Sequence, residues 1–114
     1  MKELSNEHVL YAFDRDLKPA LSIASGETVR IQTMDCFSNQ VKTSDDKLDE
    51  IDWDHINPAT GPIYIEGAVA GGTLKVEILD IELGDQTASC TGEGEGVCGD
   101  LFKGWSTHLC AVDK

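Results

Sequence analysis

At 114 residues the chain has the length of one domain, with room for an apolar core but little for a deep enclosed site. A hydrophobic content of 40% and a charged content of 26% are ordinary for a globular protein, so neither disorder nor a membrane-spanning helix is indicated. The formal net charge of -12, from 21 Asp plus Glu against 9 Lys plus Arg, argues against nucleic acid as a partner, because no basic stripe offsets the repulsion of a phosphate backbone.

The start, MKELSNEHVLYAF, lacks the apolar core of a signal peptide, so a cytoplasmic location and no membrane association are expected. Cys36, Cys90, Cys98 and Cys110 are then expected as thiols, with Cys36 buried. In an oxidising compartment three pairings would be open. In the run EHVLYAF, Val9, Tyr11 and Phe13 share one parity while Leu10 and Ala12 fill the other, which predicts a strand covered on both faces. Asp14 to Pro19 is a polar loop closed by a proline, and Ser25-Gly26-Glu27 marks a turn between LSIA and TVRIQT. A hairpin-like corner is expected there.

The segment MDCFSNQVKT puts Asp35 just after that strand, with Asn39 and Gln40 shortly beyond. Polar groups at a strand end are fixed by the sheet yet remain accessible, so chemistry can be mounted there. Equally, Asp35 can cap a turn through its side chain. Ser44 to Asp54 holds six acids, and the i, i+3 spacing of Leu48 and Ile51 predicts a short acidic helix or ordered loop. It lacks the glycine of an EF-hand loop, so a solvated acidic face is the reading.

Pro58 keeps Asn57 out of the helical region, and Gly61-Pro62 makes a second restricted joint. Asn57 and Thr60 therefore present an amide and a hydroxyl on a stiff loop, which limits the entropy lost on holding a ligand. Ile63-Tyr64-Ile65 reads as a strand ended by Glu66-Gly67. Partly desolvated, the Glu66 carboxylate would serve as a general base or metal ligand; exposed, it is only an acid beside a turn.

After a turn at Ala70-Gly71-Gly72, Leu74, Val76 and Ile78 alternate with polar residues, and beyond Ile78 the apolar parity passes to Leu79, Ile81 and Leu83. A strand with a bulge or a crossing near Ile78–Leu79 is predicted. The fold class expected is mainly β, a partly open barrel or folded sandwich of short strands, in a single β-rich domain over 1–114. Gly94, Gly96 and Gly99 match a dinucleotide fingerprint only in letter, without the flanking strand and helix, and acids surround them. The cysteine spacings do not fit a structural zinc site, and HLCAV reads as a final strand.

Several of these blocks, in order, carry a resemblance to a known family: Asp35-Cys36 with Ser38-Asn39-Gln40, Asp52-Trp53-Asp54, and NPATGPI followed by Glu66-Gly67-Ala68. They resemble the acetamidase/formamidase family of amide hydrolases, over the N-terminal third to half of a full-length member. The resemblance implies mainly β-structure, assembly into oligomers, and cleavage of small linear amides such as formamide and acetamide to acid and ammonia. It also implies roles: Asp35 for binding water or a metal, Glu66 for proton transfer, and Asn39, Asn57, Thr60 and Gly61 for substrate positioning. A divalent metal, zinc or calcium, is the helper expected in so acidic a chain. The expected partners are a small amide and either further copies of the chain or a complementary C-terminal chain; a catalytically silent β-domain is the alternative.

Overall fold

A computed structural model describes residues 1–114, and strands dominate it, with two one-turn 3-10 helices at Trp53–His55 and Gly99–Leu101. The chain divides into two discontinuous units, Met1–Ser38 with His55–Glu77 and Asn39–Asp54 with Ile78–Lys114.

The first unit holds six strands: β1 (Lys2–Leu4), β2 (Val9–Leu10), β3 (Leu21–Ile23), β4 (Val29–Ile31), β5 (Ala59–Thr60) and β6 (Ile63–Ile65). They form three pairs, β1 parallel to β4, β3 parallel to β6, and β2 antiparallel to β5. Ile and Val recur in these strands because a branched Cβ suits a pleated, half-buried surface. The last residues of β1 and β3, Leu4 and Ile23, are the buried apolar side chains here. The turn after β3 is closed by charge as well as by glycine. Gly26 has φ 86°, and the Glu27 carboxylate accepts the Ala24 N–H (2.6 Å) and Lys2 Nζ (3.0 Å). Those two donors, the amide foremost, hold the Glu27 carboxyl below its ordinary range.

In the second unit β7 (Gln86–Gly92) and β8 (Trp105–Ala111) form an antiparallel hairpin registered from Gln86↔Ala111 to Gly92↔Trp105. The acidic segment is fixed by its own side chains. The Gln40 side-chain amide spends both its ends on the backbone of one residue: Nε2 donates to Asp52 O (3.1 Å) and Oε1 accepts Asp52 N–H (2.7 Å). Asp46 Oδ2 accepts the N–H groups of Lys42 and Thr43, each at 2.8 Å, and the Asp46 carbonyl accepts the Thr107 hydroxyl of β8. Trp53 Nε1 donates to Leu48 O (2.6 Å), and Val41 and Leu48 are buried.

The mainly-β expectation holds, but four separate two-stranded sheets close no barrel. Several local expectations are corrected. The strand expected over Glu7–Phe13 is reduced to Val9–Leu10, and Phe13 is almost fully exposed, since only β5 is available to pair with it. The turn at Ser25–Glu27 exists, yet β3 and β4 do not pair with each other; each takes a parallel partner distant in sequence. The acidic segment takes the loop form of its two expected alternatives, turns followed by the one-turn helix Trp53–His55. Residues 73–84 belong to no strand, although the Gly72 N–H to Val69 O turn bond (3.1 Å) before them is present. Leu74, Val76, Ile78, Leu79, Ile81 and Leu83 are all exposed, so neither the expected buried face nor the bulge is formed. Alternation calls for a partner strand, and none of the eight strands pairs with it.

Candidate functional site

Two loops of the first unit, 32–38 and 55–61, are stitched together mainly through their backbones. Asn57 N–H donates to Cys36 O (2.7 Å), and the Ser38 hydroxyl donates to His55 O. Each loop is bent locally before it reaches the other. Asp35 Oδ1 accepts Phe37 N–H (2.9 Å) and Asp35 O accepts Ser38 N–H (3.1 Å), and the resulting Asx-turn carries Ser38 to φ 54°. Asn57 sits at φ 54°, a region its short amide side chain tolerates better than most. Tyr11 joins the pair from the end of β2. Its ring meets His55 edge to face at 4.9 Å, and its hydroxyl lies 3.4 Å from Ser38 Oγ.

The second loop is also anchored at its far end. Thr60 Oγ1 donates to Gln32 O (2.8 Å) and Gly61 N–H donates to His8 O (2.9 Å). Gly61, at φ 150° and buried, precedes a cis bond to Pro62. His8 and Gln32 also line a cleft of about 250 Å³, with Glu3, Leu4, Ser5, Ala20 and Arg30. That volume is below the range of about 300–1,000 Å³ typical of drug-sized ligands. Its lining is mostly polar, which suits a hydrogen-bonding guest.

The residues singled out from the sequence thus fall into three groups. Asp35 and Asn57, both exposed, flank the Cys36–Asn57 seam of the stitched loops, while Thr60, half-buried, and Gly61, buried, lie at the other end of the second loop, tied to Gln32 and His8. Glu66 is exposed at the end of β6, its N–H donating to Ile23 O (2.8 Å). Three residues of strand separate it from the Gly61-Pro62 corner, roughly 10 Å at the usual rise. Asn39, at φ 56°, belongs to the second unit.

Tyr11, Ser38 and His55 are the members that sequence reasoning misses. Alternation places Tyr11 on a two-faced strand, whereas it lies 40% exposed against His55. Cys36, expected buried, is exposed because its carbonyl rather than its side chain faces Asn57. All four cysteines are thiols. Nowhere do three or more His, Cys, Asp or Glu side chains converge as a metal's donor set would require, and the Asp35 carboxylate is engaged in its own turn. The residues present therefore do not fit a divalent metal by themselves. No helix is long and apolar enough to cross a membrane.

Comparison with known proteins locates this arrangement. The model of the acetamidase/formamidase family matches residues 2–106. An acetamidase of Mycolicibacterium smegmatis is 34% identical over 92 residues, covering 77% of this chain and 22% of that protein. A formamidase of Methylophilus methylotrophus is 31% identical over 68 residues, covering 58% of this chain and 17% of that one. The crystal structure of an acetamidase from Bacillus halodurans superposes with a TM-score of 0.92 at 39% identity, over 98% of this chain and 38% of that chain. The chain thus spans well under half the length of each relative.

Proposed function

The chain belongs to the acetamidase/formamidase family, and from that premise we propose that it is the amide-binding component of an enzyme cleaving small linear amides, such as formamide or acetamide, to acid and ammonia. The observation that carries this reading is the Asn57 N–H to Cys36 O bond at 2.7 Å, which seats the proline-stiffened loop on the Asp35 turn. A small amide offers one carbonyl acceptor and N–H donors. The Asn57 side chain can donate to the carbonyl oxygen, and the Thr60 hydroxyl, already donating to Gln32 O, keeps lone pairs that can accept an amide N–H. On the family's pattern, Asp35 is assigned the orienting of an attacking water and Glu66 the later proton transfer to the departing amine. Gly61 holds the corner through its bond to His8, and Asn39 is assigned to substrate positioning on the family's pattern.

Amide hydrolysis also requires donors aimed at the tetrahedral oxyanion. Asn57 alone is a thin set, which favours a component completed by further chain, either more copies or a complementary C-terminal polypeptide. The second reading is a catalytically silent β-domain that works through association, and the exposed apolar residues of 74–83 favour it. Ammonia release from formamide and acetamide separates the two, measured with and without added zinc. The enzyme reading expects release above a buffer blank from the chain as assembled copies or together with a complementary C-terminal polypeptide. It also expects Asn57→Gly, which accepts the left-handed backbone at once and removes only the amide, to raise KM by about tenfold or more. No release under any of these conditions removes the amidase reading.

A further inference from the structure

Residues 78–83, ILDIEL, place four large apolar side chains in solvent: Ile78 at 73% exposure, Leu79 at 68%, Ile81 at 67% and Leu83 at 55%. They lie on both parities of the stretch, so one covering surface would not suffice if it formed a strand. It takes part in no ladder; Ile81 N–H is satisfied by the neighbouring Asp80 carboxylate (2.9 Å). Scattered single apolar residues on a surface need no explanation, but six consecutive residues with four such side chains do.

Two facts indicate what covers them. The superposition on the Bacillus halodurans acetamidase runs over 98% of this chain at a TM-score of 0.92, so it includes this stretch, and it uses only 38% of that chain. More than half of the relative's polypeptide is therefore available to lie against the equivalent of 78–83. A second copy of this chain is a poor occupant by charge. Each copy carries -12, and pairing the stretch with itself would oppose Asp80 and Glu82 to acids of the same kind.

We propose that residues 78–83 are a strand-addition edge for a polypeptide outside these 114 residues, one of the kind that forms the remainder of the family's fold. Main-chain hydrogen bonds would supply the pairing and the apolar side chains the specificity. The inference rests on family membership and not on the amidase reading, and its test is independent of ammonia release. The chain is co-expressed with a tagged fragment of the Bacillus halodurans acetamidase comprising the residues beyond those that match it, under conditions in which that fragment retains the enzyme's own N-terminal part. Native mass and hydrogen exchange are then read on the purified material.

A one-to-one complex is expected, with the amides of 78–83 exchanging about 100-fold more slowly than in the chain alone. Replacing Leu79→Asp and Ile81→Asp together should cut the recovered complex about tenfold or more while leaving the melt of the isolated chain unchanged, because both sites are exposed. Failure of the fragment to retain this chain overturns the proposal. So does a complex whose 78–83 amides stay fast, or slowing of those amides in the chain alone as its concentration rises, which would make a second copy the occupant.

Discussion

Gly92→Ala tests the packing at the open end of the β7–β8 hairpin. Gly92 stands opposite Trp105 in the ladder, and a Cβ added there would overlap Trp105 Cζ3 and lie 2.5 Å from Cε3 and 2.7 Å from Cη2. Favourable carbon contacts begin at about 3.5 Å, so the indole must withdraw by roughly 1 Å. The backbone of Gly92 is not in the left-handed region, so the cost is steric alone. Overpacking of this kind costs about 1–3 kcal/mol, which is roughly a 5- to 140-fold loss of exchange protection in the hairpin amides. The diagnostic measurement is a double-mutant cycle read by amide exchange at Thr107–Ala111. Trp105→Ala removes the obstacle, so in that background Gly92→Ala should be nearly neutral, and the coupling should approach the single-mutant cost. Additive effects, or a Gly92→Ala change within about 0.5 kcal/mol of zero, would refute the steric argument.

Gly99→Ala should be the harsher substitution, because its Cβ would meet the backbone carbon of Gly94 at 2.5 Å, and a backbone cannot swing aside as a ring can; the circular dichroism melt of the hairpin reads it. In the first unit, Leu4→Ala should cost about 2–5 kcal/mol as a buried leucine truncated to a cavity, seen as faster exchange in β1 and β4 together. For Asp46, the Lys42 and Thr43 amides hold its carboxyl below the ordinary 3.8, so the folded value lies under the unfolded one. Its contribution is then complete above about pH 3.8 and is lost as pH falls through the lower folded value. Asp46→Asn should abolish that acid limb in the exchange of the 42–46 amides, and an unchanged limb would assign it to another group.

Particular segments show how much of the fold is legible in the sequence. Strand β6 is, because Ile63 and Ile65 alternate between Pro62 and Gly67, two residues that punctuate a strand. Strands β3 and β4 are partly legible, but alternation gives a strand's faces and not its partner. Their partners, β6 and β1, are parallel and distant in sequence, so the intervening turn misdirects the pairing. QTASCTG of β7 escapes notice because small polar residues around a glycine carry no period; it is held by its ladder to β8 and not by a buried face. The alternation at 74–83 is a demand for cover, and the demand is unmet within the chain. At the site, the blocks containing Asp35 and Asn57 are visible, while their meeting is not. It is made by a backbone amide and a backbone carbonyl, which every sequence possesses and none advertises. Tyr11 reads as a sheet residue for the same reason: its role depends on where His55 arrives.

The interleaving of the two units bears on how the protein is made. Emerging from a ribosome, Lys2–Leu4 must wait for Val29–Ile31, and Leu21–Ile23 must wait for Ile63–Ile65, by which time residues 39–54 of the other unit are already outside. Neither unit can therefore mature before part of the other has emerged, and nascent strands stay unpaired meanwhile, a situation that invites chaperone contact. It also means that no single cut in the gene would release either unit as one continuous fragment.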